Sequence, residues 1–463
     1  MKKISIVLSI CLCCLSMSYA QILVEAESFR DKGGWVVDQQ FMDQMGSPFL
    51  MAHGLGKPVR DAVTIVNFPE KGKYHVFIRT RNWAALWNTT DAPGKFQLII
   101  NGKSLARVFG IQDTEWTWQY GGTVNLRKGQ NTIALHDLTG FNGRCDAILF
   151  TSDPNFKPSD DLAELSAFRK QCLGLPQVPE NGGQYDLVVV GGGVAGTCAA
   201  LSAARLGLKV ALIHDRPVLG GNNSSEVRVH LGARINLEPY PNLGNMVNEI
   251  GPVKGGNAQP ASYYEDERKL EAVKNEKNIS LFLNYRANEI EKTGNRISKV
   301  IARNIESSKE IAFSGNLFAD CTGDGVIGAL AGADFMMGRE SHSEFNEPTA
   351  PEKKDKMTMG SSVQWYSNEV ANPVSFPDIK WGLSFNEANF QKVKMGEWTW
   401  ETGMQYDQVK DFERIRDYGL LVVFSNWSFL KNHYSQKETY ANSELEWVAH
   451  IAGKRESRRL TGD

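Results

Sequence analysis

Between residues 21 and 153 the chain consists of short segments in which apolar and polar residues alternate, separated by turn residues. Residues 74–78, 96–100 and 132–136 are the clearest of these segments. Strict alternation is typical of strands with one buried face. The Asn101-Gly102 pair after the second segment tolerates the positive φ angles of a type I′ turn. This part of the chain is therefore predicted to be an all-β sandwich.

The pattern changes between residues 154 and 183. A short polar helix is predicted at residues 160–171, and Pro176, Pro179 and paired glycines follow it. Prolines and glycines interrupt regular secondary structure. We interpret residues 154–183 as a linker between two domains.

A third pattern begins at Tyr185. The apolar run YDLVVV is followed by a glycine turn, an alanine-rich helix that stops at Gly207, and a second apolar run, KVALIH. This order predicts a β-α-β unit, because each apolar run has the length of a buried strand and the segment between them has the composition of a helix. An α/β domain is therefore expected over residues 184–463.

Further along, residues 281–312 predict more strands, with hairpin spacing around Gly294-Asn295. The tryptophan-rich stretch at residues 338–450 has a mixed pattern. We expect it to be an inserted region that faces the substrate.

Composition and charge restrict the class of protein. With 463 residues the chain is too long for one compact core, so roughly two to three domains are expected. Apolar residues make up 42% and charged residues 22%, which argues against disorder and against a membrane bundle. The formal net charge of -2, without a long basic run, gives no reason to expect nucleic acid as a partner.

The first twenty residues have the three parts of a secretory signal peptide. Lys2 and Lys3 precede an apolar run at residues 4–15, and small residues at 18–20 provide a cleavage site. A membrane anchor is the alternative, but the run is shorter than the roughly 20 residues that span a bilayer. The mature protein is expected to begin at Gln21, to lack a transmembrane anchor, and to be exported to the periplasm, the outer surface or the medium.

Four cysteines follow this leader: Cys145, Cys172, Cys198 and Cys321. They are widely spaced and form no paired motif. Neither a disulfide framework nor an iron–sulfur cluster is expected from this spacing.

The glycine turn after YDLVVV has the pattern G-x-G-x-x-G, formed by Gly191, Gly193 and Gly196. The first glycine permits the tight turn, the second lets the backbone approach a pyrophosphate, and the third allows close packing of helix and strand. Alone the pattern fits any glycine-rich turn. Inside a β-α-β unit it predicts a bound dinucleotide, with its phosphates at the helix N-terminus.

The residue that ends the second strand of such a unit is usually acidic and accepts hydrogen bonds from the adenosine ribose. Here His214 occupies that position and Asp215 follows it. Two alternatives are open. Asp215 takes over the role through a small shift, or neutral His214 accepts one bond and Asp215 is a solvated loop charge.

Three further motifs carry a resemblance to a known family. They are Leu219-Gly220-Gly221 soon after the second strand, the segment FADCTGDG, and the run RESRR at residues 455–459. With the glycine turn, they resemble the FAD-dependent oxidoreductase family related to the flavoproteins of heterodisulfide reductase and fumarate reductase. The resemblance implies a Rossmann-type FAD-binding domain with an inserted substrate region, and it covers most of residues 184–463.

The resemblance also implies which residues hold FAD. These are Gly191, Gly193, Gly196, His214, Asp215, Arg216, Gly220, Gly221, Asn222, Thr322, Gly323 and Asp324. Such flavoproteins close the site with a C-terminal glycine-rich segment, which is expected to be missing here because the sequence stops at Asp463.

Candidate residues for substrate and catalysis are fewer. Arg228, Arg458 and Arg459 could neutralise a pyrophosphate, an anionic substrate or the flavin, or could equally form structural ion pairs. His230 is the candidate general base because imidazole titrates near neutral pH, although a lone histidine is more often structural.

The N-terminal part has a resemblance of its own. The segments LVEAESF, GKYHVFIRTRNW and GRCDAILFTSD resemble carbohydrate-binding modules related to the galactose-binding domains. That resemblance implies a structural Ca²⁺ held by Glu25, Glu27 and Asp146, the alternative being surface charge. Aromatic side chains that could stack on sugar rings, or pack in a core instead, are Trp83, Trp87, Trp116, Trp118 and Tyr120.

Two functions follow from these patterns. The first is an exported FAD-dependent oxidoreductase that acts on a carbohydrate or glycan-derived substrate by hydride transfer to flavin, with an unidentified electron acceptor. The second is a glycan-binding protein whose truncated flavin module is inactive.

Overall fold

A computed structural model describes residues 19–87, 91–397 and 400–462 of the chain. The predicted leader therefore lies almost entirely outside the described residues. Within those residues, no helix is both long and apolar enough to cross a bilayer.

The N-terminal part is built from short antiparallel strands. In chain order these are Gln21–Glu25 (β1), Val36–Asp38 (β2), Phe49–Ala52 (β3), Ala62–Phe68 (β4), Gly72–Thr80 (β5), Phe96–Ile100 (β6), Lys103–Ser104 (β7), Thr117–Leu126 (β8), Gly129–Asp137 (β9), Gly143–Cys145 (β10) and Ala147–Thr151 (β11). One helix, Met42–Met45 (α1), lies between β2 and β3.

Two four-stranded sheets face each other across this part, with strand orders β1-β11-β5-β8 and β4-β9-β6-β7, and a three-stranded sheet β10-β3-β2 lies beside them. The apolar residues of the alternating segments point inward. Val76 and Ile78 of β5 pack in one buried cluster with Leu98 of β6 and Leu135 of β9. The predicted strands are confirmed, because alternation leaves one face of each strand to be buried.

The hairpin predicted after β6 is also present. Asn101 has a φ of 50° and Gly102 a φ of 76°, and Ile100 pairs with Lys103 across the turn. Positive φ at both central residues is what a type I′ turn requires.

The segment predicted as a linker contains the helix Leu162–Cys172 (α2). Asp161 caps it by accepting hydrogen bonds from the backbone N–H groups of Ala163 and Glu164, both at 3.0 Å. Arg169 of this helix is buried against the sandwich. The segment is therefore packed onto the N-terminal part, at least over α2.

The α/β part contains a six-stranded sheet in the order β14-β13-β12-β17-β16-β15. Its strands are Glu180–Val190 (β12), Val210–His214 (β13), Ile279–Leu283 (β14), Tyr285–Thr293 (β15), Arg296–Asn304 (β16) and Glu310–Asp320 (β17). The associated helices are Val194–Arg205 (α3), Asn245–Ile250 (α4), Asp266–Lys274 (α5) and Val326–Ala331 (α6).

The first four strands in that order are parallel, and β16 and β15 join antiparallel. Leu201 of α3 and Val273 of α5 pack with Leu212 of β13 on one face of the sheet. The predicted β-α-β unit is thus confirmed as β12, α3 and β13.

The remaining chain forms small sheets around one long helix. Its strands are Phe335–Met336 (β18), Ser361–Ser362 (β19), Trp365–Glu369 (β20), Met395–Gly396 (β21), Glu401–Thr402 (β22), Ser443–Val448 (β23), Gly453–Lys454 (β24) and Arg459–Leu460 (β25). Its helices are His342–Phe345 (α7) and Phe412–Asn432 (α8).

Helix α8 packs against the sandwich. Trp365, Trp381 and Trp427 are buried in one cluster with residues of the N-terminal part, including Trp83 and Phe49. These tryptophans are therefore core residues, and the expectation that the region at residues 338–450 faces the substrate stays a prediction.

Buried ion pairs accompany that core. Arg144 of β10 contacts Asp417 of α8 at 2.6 Å and Glu413 at 2.8 Å. Arg416 of α8 contacts Asp38 of β2 at 2.7 Å and Asp417 at 2.8 Å. Since a buried charge without its partner is costly, these pairs couple the folding of the sandwich to that of α8.

Candidate functional site

A cavity of about 510 Å³ lies where the parallel strands β12, β13 and β17 end. The carboxyl ends of parallel strands meet at one edge of a sheet, and ligands of doubly wound folds bind there. All the residues predicted to hold FAD line this cavity, apart from Gly196.

The glycine turn follows β12 and opens α3. Gly191 has a φ of 102°, and a Cβ there would lie 2.1 Å from the carbonyl oxygen of Cys321. A Cβ at Gly196 would lie 1.8 Å from the carbonyl oxygen of Gly191. The packing of the protein itself therefore requires glycine at both positions. Gly191 lines the cavity, and Gly196 lies behind its wall.

Gly193 is different. It caps α3 with a φ of -64°, and a Cβ there would meet Gly221 Cα first, at 3.9 Å. The protein therefore has room for a side chain at this position, on the cavity side of a helix N-terminus. A close approach by a ligand's phosphates is a reason for glycine here that packing does not supply.

A second glycine pair closes over the turn. The Gly220 N–H donates to the Gly192 carbonyl at 2.8 Å, and Gly220 pairs with Gly193 as a parallel bridge. The guanidinium of Arg216 lies beside Gly221, and its buried Nη1 has no hydrogen-bond partner among the described residues. The Glu226 carboxylate lies 3.5 Å from Nη1, so the guanidinium retains hydrogen-bonding capacity next to the helix N-terminus, which suits a pyrophosphate.

The neutral ring of His214 is fully used by the protein. The Gly192 N–H donates to Nδ1 at 3.0 Å, so the ring proton is on Nε2, which donates to the Val218 carbonyl at 3.0 Å. Burial lowers the pKa of His214 to about 4. Neither nitrogen is left for a ribose hydroxyl, so of the two alternatives the geometry favours Asp215.

Asp215 lies on the cavity wall with one oxygen fixed. Arg286 of β15 donates from Nη1 to Asp215 Oδ2 at 3.0 Å. Burial raises the pKa of Asp215, but the nearby guanidinium of Arg286, with smaller contributions from His214 and Arg216, outweighs it and leaves the pKa below its usual value. Asp215 is therefore an ionised acceptor.

The turn after β17 is stabilised by hydrogen bonds to the side chain of Asp320. Asp320 accepts the Thr322 hydroxyl at 2.7 Å and the Gly328 N–H at 2.9 Å. Asp324 contacts Lys454 Nζ with both oxygens at 2.8 Å. One wall of the cavity is formed by Thr322, Gly323 and Asp324. The carboxylate of Asp324 in this wall is ion-paired with Lys454.

The other predicted arginines lie elsewhere. The guanidinium of Arg228 stacks 3.8 Å from the ring centre of Trp447 and donates to the carbonyls of Ser225 and Gln259. Arg459 is paired with Glu340 and Glu456. Arg228, Arg458 and Arg459 do not line the cavity, so their structural alternative is the better supported.

His230 is exposed on the cavity wall, and its backbone N–H donates to Asn257 at 2.9 Å. That position leaves its imidazole free to meet a substrate. Its role as general base stays a prediction.

The three predicted metal ligands lie in one buried cluster with two arginines. Arg169 contacts Glu25 at 2.8 Å and Asp146 at 2.7 Å, and Arg79 contacts Asp146 at 2.8 Å. Burial raises the pKa of Glu25 to about 7 and that of Glu27 well above its usual value.

This geometry gives no direct support to Ca²⁺ at Glu25, Glu27 and Asp146. Among the described residues no group of three or more His, Cys, Asp or Glu side chains is placed to hold a metal ion. The guanidinium of Arg169 lies between two of the carboxylates and supplies the positive charge. Both buried oxygens of Glu27 lack a hydrogen-bond partner among the described residues, and the Ca²⁺ site stays a prediction.

Two of the predicted sugar-stacking tryptophans are not available. Trp83 is fully buried and donates from Nε1 to the Phe141 carbonyl at 2.9 Å. Trp116 is 8% exposed and donates to Glu413 of α8 at 3.2 Å. Their prediction as substrate residues is wrong, because α8 covers them.

Trp118 and Tyr120 do reach the surface. They line a groove of about 580 Å³ on the sandwich together with His75, Phe77 and residues 154–158 and 160. Trp87 lies outside this groove and is half-buried. Its ring centre is 5.8 Å from that of Tyr418.

Several residues of the cavity escaped prediction. They are Gln39 and Gln40 of the N-terminal part, Arg286 of β15, and Lys454 of β24. No local motif marks them, since they reach the cavity only through the fold. Glu226 beside Arg216 was also missed; burial raises its pKa to about 7.

Comparison with known proteins identifies the α/β part. The family model described as FAD dependent oxidoreductase matches residues 186–463. Glycerol-3-phosphate dehydrogenase of Mycobacterium leprae is 46% identical over 55 residues, which are 12% of this chain and 9% of the relative. Soluble pyridine nucleotide transhydrogenase of Ectopseudomonas mendocina is 55% identical over 38 residues, 8% of each chain. The chain thus spans less than a tenth of the length of these curated relatives.

Two solved structures show partial similarity. The 3-ketosteroid-delta4-(5alpha)-dehydrogenase of Rhodococcus jostii RHA1 has a TM-score of 0.26 at 15% identity, over 32% of this chain and 47% of that one. A family 35 carbohydrate binding module from Clostridium thermocellum has a TM-score of 0.22 at 20% identity, over 28% of this chain and 97% of the module. The family match extends over more than half of the sequence and coincides with the glycine-lined cavity: the chain belongs to the FAD dependent oxidoreductase family.

Proposed function

We propose that this protein is an FAD-dependent oxidoreductase whose cofactor lies in the 510 Å³ cavity with its pyrophosphate on the turn of Gly191 and Gly193. The observation that carries the proposal is the open space at Gly193, where the protein itself leaves room for a side chain. Arg216 supports it with a cavity-lining guanidinium whose buried Nη1 makes no hydrogen bond among the described residues, and Asp215 with an ionised acceptor for the ribose.

A bound flavin would supply the two-electron chemistry that protein side chains lack. The chain's own groups have simpler tasks. His230 would take the proton of a substrate hydroxyl or amine, and the support for this role is its position on the cavity wall. Lys454 neutralises Asp324, which keeps that wall of the cavity from repelling an anionic ligand.

The experiment is a titration of purified protein with FAD, followed by the absorption spectrum. A bound flavin gives a yellow protein whose spectrum is bleached by a substrate that reduces it. A protein that stays colourless and takes up no FAD would contradict the proposal.

We further propose a carbohydrate or glycan-derived substrate. The support is the groove lined by Trp118 and Tyr120, whose flat faces suit sugar rings. Because this groove shares no residue with the cavity, it also favours a second function, glycan binding without redox activity. Sugar-dependent bleaching of the flavin would separate the two.

Export is part of the proposal as well. Its support is the leader at residues 1–20. N-terminal sequencing of the native protein should begin at Gln21, and recovery of intact Met1 from the cytoplasm would contradict it.

A further inference from the structure

The N-terminal part of the chain reaches into the proposed FAD cavity. Gln39 and Gln40, which follow β2, line the cavity wall. Gln40 donates from Nε2 to the His450 carbonyl at 3.0 Å and accepts the Ala452 N–H at 3.3 Å. This segment is thus fixed to the chain that leads into β24 on the opposite side of the cavity.

The next residues hold one arginine of the α/β sheet. Asp43 of α1 accepts from Arg286 Nε at 3.1 Å and from Nη2 at 2.8 Å, a two-bond contact between carboxylate and guanidinium. Arg286 Nη1 points to the Gln39 carbonyl at 3.4 Å and to Asp215 Oδ2 at 3.0 Å. All three nitrogens of Arg286 are therefore engaged, and its orientation is set by the N-terminal part.

That orientation decides how Asp215 is held. With its Nε and Nη2 edge on Asp43, Arg286 is turned so that only Nη1 contacts Asp215, through Oδ2. A free guanidinium prefers to bind a carboxylate with two parallel bonds, and this would occupy both oxygens of Asp215. Asp43 takes the Nε/Nη2 edge and fixes the orientation of the guanidinium, in which the remaining Nη1/Nη2 edge meets Asp215 through a single bond.

We propose that Asp43 is a positioning residue for the cofactor: it holds Arg286 so that Asp215 keeps an oxygen for the hydroxyls of the adenosine ribose. The inference rests on the proposed function, because it assigns the ribose of FAD to Asp215. It gives the sandwich a role in cofactor binding through a contact between residues 243 positions apart.

A purely structural role for Asp43 predicts something different. The side chain of Asp43 is 39% exposed, and Arg286, which is 13% exposed, keeps Asp215 as a countercharge when Asp43 is replaced. Asp43→Asn should therefore fold normally, so that its effect on ligand binding can be measured.

The test is calorimetric titration of the full chain with ADP, 2′-deoxy-ADP and 3′-deoxy-ADP. The wild type should bind ADP about 10-fold or more tightly than at least one deoxy analogue, since a hydrogen bond to a charged acceptor is lost. Asp43→Asn and Asp215→Asn should each remove most of this preference. The double variant should show no further loss, because the two residues act in series.

A matched control is Asp31→Asn. Asp31 also pairs with an arginine on the N-terminal part, Arg60 at 2.7 Å, but it does not line the cavity. The Asp31→Asn variant should keep the wild-type preference for ADP over the deoxy analogue. The inference is overturned if Asp43→Asn keeps the preference while Asp215→Asn loses it, or if the wild type binds ADP without any preference. A wild type that binds neither ADP nor FAD would instead refute the proposed function itself.

Discussion

The backbone N–H of Gly192 donates to Nδ1 of His214 at 3.0 Å, so the end of β13 holds the glycine turn directly. The imidazole must stay neutral for this bond, because Nδ1 accepts only when it carries no proton. Burial accordingly lowers the pKa of His214 to about 4 from an ordinary 6.5.

This relationship predicts a pH dependence of stability. Between pH 6.5 and about 4 the unfolded chain protonates His214 and the folded chain does not, so the free energy of unfolding falls as the pH falls through that window. His214→Asn cannot titrate and should lack this contribution. Denaturant unfolding of both proteins at several pH values measures the difference; parallel curves would contradict the prediction.

Breaking the buried ion pairs between the sandwich and α8 is predicted to cause a large loss of unfolding free energy. Asp417→Asn leaves Arg144 and Arg416 without a full countercharge, which should cost about 3–5 kcal/mol of unfolding free energy. The control is Asp378→Asn, a surface pair with Lys380, which should cost less than about 1 kcal/mol. Equal effects of the two variants would show that the pairs do not couple the two parts.

The arginine cluster predicts that Ca²⁺ has no effect on the sandwich. Added Ca²⁺ or a chelator should leave the melting temperature of the wild type unchanged, because Arg169 already supplies charge to Glu25 and Asp146. Arg169→Met should lower the melting temperature strongly, since Glu25 then remains buried without its arginine and Asp146 keeps only Arg79 as a cationic partner. A clear rise of the wild-type melting temperature with Ca²⁺ would support the metal site.

The groove predicts which tryptophan binds glycan. Trp118→Ala should abolish retardation in affinity electrophoresis on any polysaccharide that retards the wild type, because it removes an aromatic face from the groove. Trp87→Ala, outside the groove, is the matched control and should retain it. Equal loss in both variants would argue against this groove as the site.

Local features of the sequence predicted much of the fold. The Asn101-Gly102 turn and the unit β12-α3-β13 depend on neighbouring residues, so their patterns were sufficient. The burial of Trp83 and Trp116 was not predictable in this way. It depends on α8, which packs on them from nearly 300 positions away, as the 297-residue separation of Trp116 and Glu413 illustrates.

The candidate site likewise contains residues that a local motif predicts and residues that only the folded structure brings there. The glycines and Asp215 belong to motifs with a physical reason at each position, and all but Gly196 line the cavity. Arg286 and Asp43 have no motif, because their contact exists only once the sandwich is packed beside the sheet. The finer relationship to the flavoproteins of heterodisulfide reductase and fumarate reductase stays a prediction.

The most direct test of a dinucleotide on the glycine turn is the FAD dissociation constant of Gly193→Val beside its melting temperature without cofactor. The protein has space for this side chain and the ligand does not, so FAD affinity should fall at least about 100-fold, or ~2.7 kcal/mol, while the melting temperature stays near that of the wild type. Gly72→Val on β5, where a Cβ meets only Tyr74 at 3.9 Å, should bind FAD normally. Unchanged FAD affinity in Gly193→Val would contradict the placement of the cofactor.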